Sequence, residues 1–75
     1  MLSIKWDEIP KGYNFVAQDE SGEISAYTNE PMQCYNGWLP NSGEYTTIGL
    51  QSRNSEWRTT LTKRASIMSF ANRTA

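Results

Sequence analysis

YNFVAQDESGEISAYT, residues 13–28, contains two runs of strand-forming residues on either side of a short polar cluster. Such runs around a polar cluster are typical of a β-hairpin. Asp19 at the first turn position and Gly22 at a position that needs a positive φ favour a type I turn closed by a glycine bulge. The sequence therefore predicts an antiparallel hairpin that turns at residues 19–22.

This turn sets the register of the predicted hairpin and so divides its side chains between two faces. The expected opposite pairs are Asp19–Glu23, Ala17–Ser25, Phe15–Tyr27 and Tyr13–Asn29. One face then carries Tyr13, Phe15, Ala17 and Tyr27, and the other carries Asn14, Val16, Gln18, Ile24, Ala26 and Thr28. We expect the aromatic face to meet the main core and the second face to be only partly covered.

Further strands follow the hairpin, because two strands alone are marginally stable in water. Pro31 cannot donate to a sheet ladder and ends the second strand near Thr28. Residues 32–39 could form a third strand broken at Asn36 and Gly37, and residues 44–50 are a candidate fourth strand. The sequence predicts a meander of three or four strands.

A short C-terminal helix is expected after this sheet. Asn54 or Ser55 can cap a helix that begins at Glu56. Apolar residues recur at helical spacing at Trp57, Leu61, Ala65 and Met68. The predicted fold is therefore α+β, with one small domain over residues 1–64 and an extension over residues 65–75 that either continues the helix or frays.

Composition bounds the compartment and the partners. Hydrophobic residues form 37 % of the 75 residues and charged residues 20 %, a balance unlike that of disordered chains. Seven Lys and Arg against eight Asp and Glu provide neither a polybasic field for nucleic acid nor a densely acidic surface. The single Cys34 cannot form an internal disulfide, and no secretory signal or apolar run of membrane-spanning length is present. We expect a cytoplasmic protein that does not contact a membrane.

No catalytic, cofactor-binding or metal-binding residue is predicted. The absence of histidine removes the commonest general base and metal ligand, and leaves Cys34 without an activating partner. The acidic turn at residues 19–23 lacks the ligand spacing of a calcium loop. We therefore expect a chain that is not an enzyme and takes no cofactor.

Nucleic-acid binding is a weaker alternative. Four aromatic residues could stack on bases: Tyr13, Phe15, Tyr27 and Tyr35. Residues 12–30 contain no basic residue to accompany them, so a structural core explains these rings better. The basic residues instead concentrate in the last third, at Arg53, Arg58, Lys63, Arg64 and Arg73. This C-terminal third would be the contact surface of a nucleic-acid-binding accessory protein.

The sequence resembles a loose group of small uncharacterised accessory proteins encoded by tailed bacteriophages and prophages. The resemblance covers about residues 6–64 and depends on Trp6, IPKGY (9–13), FVAQDESGEISAY (15–27), Pro31, GWLP (37–40), EYTTIG (44–49) and EWRTTL (56–61). The chain departs from the group in its 11-residue extension after Arg64 and in fewer aromatic residues on its second strand. The resemblance implies a location in the bacterial host cell and binding to a host or phage protein.

The leading hypothesis is a non-catalytic protein-binding module that inhibits or modulates a host protein. An exposed sheet edge or an aromatic patch rimmed by charge would be the contact surface. The candidate partner-binding residues are Tyr35, Trp38, Arg58 and Arg64, although Tyr35 and Trp38 could equally be core residues. A third alternative is a self-assembling structural protein in which two chains pair their sheet edges into a dimer.

Overall fold

Short β-strands and two single 3-10 turns form the part of the chain that the computed structural model describes, residues 3–65. The strands are β1 (Phe15–Gln18), β2 (Glu23–Tyr27), β3 (Met32–Gln33), β4 (Trp38–Leu39), β5 (Tyr45–Leu50) and β6 (Thr62–Lys63), and the turns are η1 (Trp6–Glu8) and η2 (Trp57–Thr59). Four strands form one antiparallel sheet in the order β5-β2-β1-β6, and β3 pairs with β4 in a second sheet. No helix within residues 3–65 is long and apolar enough to cross a membrane.

The predicted hairpin is confirmed as β1 and β2. Phe15 lies opposite Tyr27 and Ala17 opposite Ser25, as the turn chemistry indicated. Gly22 has a φ of 102°, and its N–H donates to the carbonyl oxygen of Asp19 at 2.9 Å. The predicted pair of Tyr13 with Asn29 does not form, because the ladder ends at Phe15 and the N–H of Asn14 donates to Tyr27.

Both faces of the central hairpin are buried, so the prediction of a partly covered second face is wrong. The N-terminal segment packs on that face, in a cluster of Ile9, Val16, Ile24 and Ala26 with Ile4, Trp6 and Tyr13 at its margin. The aromatic face is covered by later parts of the chain, in a cluster of Ala17, Tyr27, Trp38 and Trp57 with Phe15 and Leu61 at its margin. Tyr13 therefore packs on the opposite face from the one predicted, since the chain has left the ladder before it.

The strands after Pro31 differ in part from the prediction. Residues 44–50 do form a strand, β5, which pairs with β2. Residues 32–39 are not one broken strand but a separate hairpin, β3–β4, which folds back on itself at the predicted break. The reason is local, because the N–H of Cys34 donates to the carbonyl oxygen of Gly37 at 2.8 Å and closes a tight turn.

The predicted C-terminal helix is wrong. One 3-10 turn forms at Trp57–Thr59, and the chain then extends as β6, which pairs with β1. Thr60 explains the change: its Oγ1 accepts the N–H of Gln18 at 2.9 Å and donates to the carbonyl oxygen of Trp57 at 2.8 Å. A threonine hydroxyl that binds nearby backbone in this way competes with helix formation. Met68 of the predicted stripe and residues 66–75 of the predicted extension lie outside the described residues.

Alanine substitutions at two glycines separate backbone strain from steric overlap. Gly12 and Gly22 both have a positive φ, but an added Cβ would meet open space at Gly12 and would overlap the carbonyl oxygen of Gln51 at Gly22. We expect Gly12→Ala to lower the free energy of unfolding by roughly 1–2 kcal/mol, the cost of the left-handed conformation. Gly22→Ala adds an overpacking cost of roughly 1–3 kcal/mol.

Urea unfolding followed by tryptophan fluorescence measures both losses. Equal losses for the two variants would show that Gly22 is needed only for its φ, and not for the close approach of Gln51.

Candidate functional site

The β3–β4 hairpin presents apolar side chains to solvent. Met32 lies opposite Leu39 in the ladder, and Gln33 lies opposite Trp38. Because side chains alternate across a strand, Met32 and Leu39 share the face that does not carry Trp38. These two side chains are 49 % and 51 % exposed, and Tyr35, in the connecting turn, is 90 % exposed. We call these three residues, Met32, Tyr35 and Leu39, the hairpin patch.

Asp19 fixes the base of this hairpin to the β1–β2 turn. Its Oδ1 accepts the N–H of Trp38 at 2.9 Å, and the N–H of the next residue, Glu20, donates to Asn36 at 3.1 Å. Gly37 lies so close that a Cβ there would come within 2.5 Å of the same Oδ1. Burial raises the pKa of Asp19, while the bond from Trp38 opposes this shift and the nearby charge of Glu23 adds to it. The carboxylate therefore holds the hairpin from a partly desolvated position.

Trp38 anchors the hairpin from the inside and is not part of the exposed surface. Its ring meets that of Trp57 edge to face, with centroids 6.1 Å apart. Its Nε1 donates to the carbonyl oxygen of Trp57 at 3.4 Å, and its own carbonyl oxygen accepts the Tyr27 hydroxyl at 3.4 Å. Trp38 is buried, so for this residue the core alternative holds. Tyr35, in contrast, is the most exposed large hydrophobic side chain among residues 3–65.

Arg64 binds the N-terminal segment through its side chain. The guanidinium donates hydrogen bonds to the carbonyl oxygens of Trp6 (3.3 Å), Ile9 (3.4 Å), Pro10 (3.4 Å) and Tyr13 (2.9 Å), and to the side-chain oxygen of Asn14 (3.1 Å). Its guanidinium also lies 4.8 Å from the centroid of the Trp6 ring. Because the guanidinium nitrogens already donate hydrogen bonds within the chain, Arg64 is poorly placed to bind a partner. Its role is to hold the segment that covers Val16.

Arg58 remains exposed, unlike Arg64. Its guanidinium carbon lies 4.4 Å from the centroid of the Trp57 ring, a cation–π arrangement that shields one side of the buried indole. Of the four candidate residues, the structure thus exposes Tyr35 and Arg58, buries Trp38 and uses Arg64 internally. Tyr35 and Trp38 belong to the same hairpin, whereas Arg58 and Arg64 lie around η2 and β6.

Sequence reasoning missed Met32, Leu39 and Asp19 as parts of this site. A turn at residues 34–37 would have paired Met32 with Leu39 and separated both from Trp38. A single strand over residues 32–39, as predicted, does not give this pairing. The bond from Asp19 to Trp38 joins residues 19 positions apart, and no local pattern indicates it.

The residues considered for base stacking, thiol chemistry and metal binding do not come together in one site. The aromatic residues proposed as a stacking platform are split between the two faces and the β3–β4 turn, and Tyr27 is buried. Cys34 is half-buried, and its thiol donates to the carbonyl oxygen of Gly37 at 3.2 Å. Within residues 3–65, acidic residues and Cys34 form no cluster of three or more that could hold a metal ion.

Substitution of Arg64 and Arg58 tests whether the Arg64 hydrogen bonds to the N-terminal segment stabilise the fold. We expect Arg64→Ala to lower the free energy of unfolding by about 2 kcal/mol, because it removes several charged hydrogen bonds. Arg64→Lys keeps the charge but loses the planar fork, so it recovers only part of this loss. Arg58→Ala is the matched control and costs less than about 1 kcal/mol, the scale of one exposed cation–π contact. Urea unfolding measures all three, and an Arg64→Ala cost no greater than that of Arg58→Ala would contradict the assignment.

Alkaline unfolding tests the burial of Tyr27. Burial raises the pKa of Tyr27 from 10.0 to about 12, with the charge of Asp19 acting in the same direction. Between these values the unfolded chain loses the phenol proton and the folded chain keeps it, so stability falls as pH rises through this window. The stabilising difference is fully retained below pH 10.0. Tyr27→Phe abolishes this part of the alkaline loss.

The measurement is the urea midpoint from below pH 10.0 up to pH 12. Tyr35→Phe is the control, because it removes an exposed phenol instead of a buried one. A Tyr27→Phe variant that loses stability as steeply as the native chain and the control would show that the Tyr27 hydroxyl is not responsible.

Similarity to known proteins adds nothing to this geometry. Comparisons with protein-family models, curated proteins and solved structures found no match for this chain. The resemblance to phage accessory proteins therefore stays a prediction.

Proposed function

We propose that this chain is a non-catalytic protein-binding module that contacts its partner through the hairpin patch. The observation that carries the proposal is the exposure of Tyr35 on a hairpin whose backbone is fixed by Asp19 and Trp38. Tyrosine dominates binding hot spots because it offers a large, amphipathic surface with few rotatable bonds.

The anchoring of the hairpin favours binding. A side chain on a mobile loop loses conformational entropy when it is immobilised by a partner, and this loss weakens the complex. The β3–β4 turn is already tied to Glu20, Asp19 and the indole layer beneath it. Tyr35 is thus presented from a backbone that needs little further ordering.

The neighbours of Tyr35 extend the contact area. Met32 and Leu39 are each about half exposed on one face of the hairpin. Met32 and Leu39 add apolar area on the same hairpin as Tyr35, and the buried core of a protein interface is more apolar than its rim. The partner we propose is a bacterial host protein or a phage protein, bound so that its activity is inhibited or modulated.

Nucleic acid is a poorer partner for these surfaces. Arg64 directs its guanidinium to backbone oxygens of its own chain, and Arg58 lies over Trp57. The hairpin patch contains no basic residue of its own. Phosphate contacts, which supply most of the affinity for nucleic acid, would therefore have to come from outside this patch.

Affinity capture with two tyrosine variants tests the proposal. We expect a specific protein to be retained from bacterial lysate by the native chain and by Tyr45→Ala, which alters an exposed tyrosine of the other sheet. Tyr35→Ala weakens that complex by at least about 30-fold, the effect of losing a hot-spot residue. Dispersed amide signals in a proton spectrum confirm that each variant is folded.

Two results would contradict the proposal. One is equal capture of the protein by Tyr35→Ala and by the native chain. The other is tight binding of single- or double-stranded oligonucleotides that collapses as salt is raised, since this pattern indicates phosphate contacts.

A further inference from the structure

Asn36 and Gly37 are the only Asn-Gly pair in the sequence, and they lie where the β3–β4 hairpin reverses direction. The backbone nitrogen of the residue after an asparagine can attack the side-chain Cγ, which displaces ammonia and closes a cyclic imide. A side chain on that following residue hinders the attack, and glycine has none. The pair therefore has the residue types that favour spontaneous deamidation.

The fold does not hold the side chain of Asn36 in place. Within residues 3–65, the side chains of Asn14, Asn29 and Asn54 form hydrogen bonds with other parts of the chain. Asn36 and Asn41 are exposed, and neither side chain forms a hydrogen bond with that part of the protein. Serine follows Asn41, so only Asn36 combines a side chain that is free to turn with a glycine neighbour.

The attacking nitrogen is also available. The N–H of Gly37 donates to no acceptor within residues 3–65, whereas the next N–H, that of Trp38, is held by Asp19 at 2.9 Å. A hydrogen-bonded N–H would have to break its bond before it could lose its proton to base, and Gly37 has no such bond to break. Although Gly37 is buried, the Asn36 side chain that reacts with it is exposed, so ammonia leaves and water enters from solvent.

We propose that Asn36 is a site of spontaneous deamidation and that its isoaspartyl product loosens the β3–β4 hairpin. The Gly37 nitrogen loses its proton to base and bonds to Cγ of Asn36, and the side-chain amide leaves as ammonia. Water then opens the imide at one of its two carbonyl carbons. Opening at Cγ gives aspartate, and opening at the backbone carbonyl gives isoaspartate, in which the main chain runs through Cβ and Cγ.

The isoaspartyl product disturbs the base of the hairpin in two ways. One extra methylene enters the backbone inside the turn that the N–H of Cys34 closes at 2.8 Å. The former backbone carbonyl of residue 36, whose oxygen accepts the N–H of Glu20 at 3.1 Å, becomes part of a free carboxylate beside Asp19. Residues 12–52 contain no basic residue to offset this repulsion between like charges. The inference concerns the stability of the hairpin and does not depend on the proposed function.

Mass spectrometry of the folded full chain after incubation in mildly alkaline buffer tests the reaction. We expect position 36 to gain one mass unit before any other asparagine, and the formal net charge to become more negative than −1. Asn36→Gln is the protected variant, because its longer side chain closes a larger and less favourable ring. Asn41→Gln changes the other exposed asparagine and reacts like the native chain. Earlier conversion of another asparagine, or no conversion of the folded chain under conditions in which the urea-unfolded chain reacts, overturns the proposal.

Urea unfolding of the separated products measures the effect on the hairpin. We expect the isoaspartyl form to lower the folding equilibrium constant by about tenfold, because a lost backbone hydrogen bond adds to the charge repulsion. Asn36→Asp introduces the charge without the extra methylene and lowers the constant by less than about fivefold, the scale of one exposed charge pair. An isoaspartyl form that is as stable as the native chain, or no less stable than Asn36→Asp, overturns the proposed loosening.

Discussion

Both faces of the β1–β2 hairpin must be shielded from water, and the rest of the fold is arranged to meet that requirement. Val16, Ala17 and Ala26 are completely buried, although a two-stranded unit has no second layer of its own. The chain before β1 covers the Val16 face, and the chain after β2 covers the Tyr27 face. Short chains bury a smaller share of their surface than long ones, so aromatic rings with large areas do most of the covering. The two clusters are thin. The Val16 cluster depends on the segment directly before the hairpin, and the Tyr27 cluster depends on Trp38 and Trp57, which lie well after it in sequence.

Sequence reasoning predicted the parts of the fold that local chemistry controls. The Asp19–Gly22 turn gave the register of β1 with β2, and Pro31 marked the end of the second strand's region. The expected helix failed for a long-range reason: Thr60 binds the backbone of Gln18, 42 residues earlier, and the chain then pairs with β1. Helical spacing of Trp57 and Leu61 does not reveal that contact. Both residues do lie on the aromatic cluster, so their burial was predicted correctly although their conformation was not.

The candidate site was also predicted only in part. Tyr35 and Trp38 were singled out by residue type, and type alone could not show that one is exposed and the other buried. The difference comes from their places in the hairpin: Tyr35 lies in the β3–β4 turn, whereas Trp38 begins β4 and its N–H donates to Asp19, which holds its backbone against the β1–β2 turn. Arg64 was predicted to bind a partner for a related reason, because a basic residue late in the chain suggests a charged surface. The guanidinium is instead consumed by backbone oxygens of residues 6–13.

The hydrogen bonds between Arg64 and the N-terminal segment also affect when the chain can fold during translation. Trp57 and Leu61 belong to the cluster on the Tyr27 face, and Arg64 holds the segment that covers Val16. All three emerge from the ribosome after most of the other described residues. A nascent chain that stops before them leaves Tyr27 and Trp38 uncovered, which makes it a target for chaperones and proteases. Closure between such distant residues is slow compared with local contacts. Folding of this small domain is therefore a late event that follows translation of nearly the whole described region.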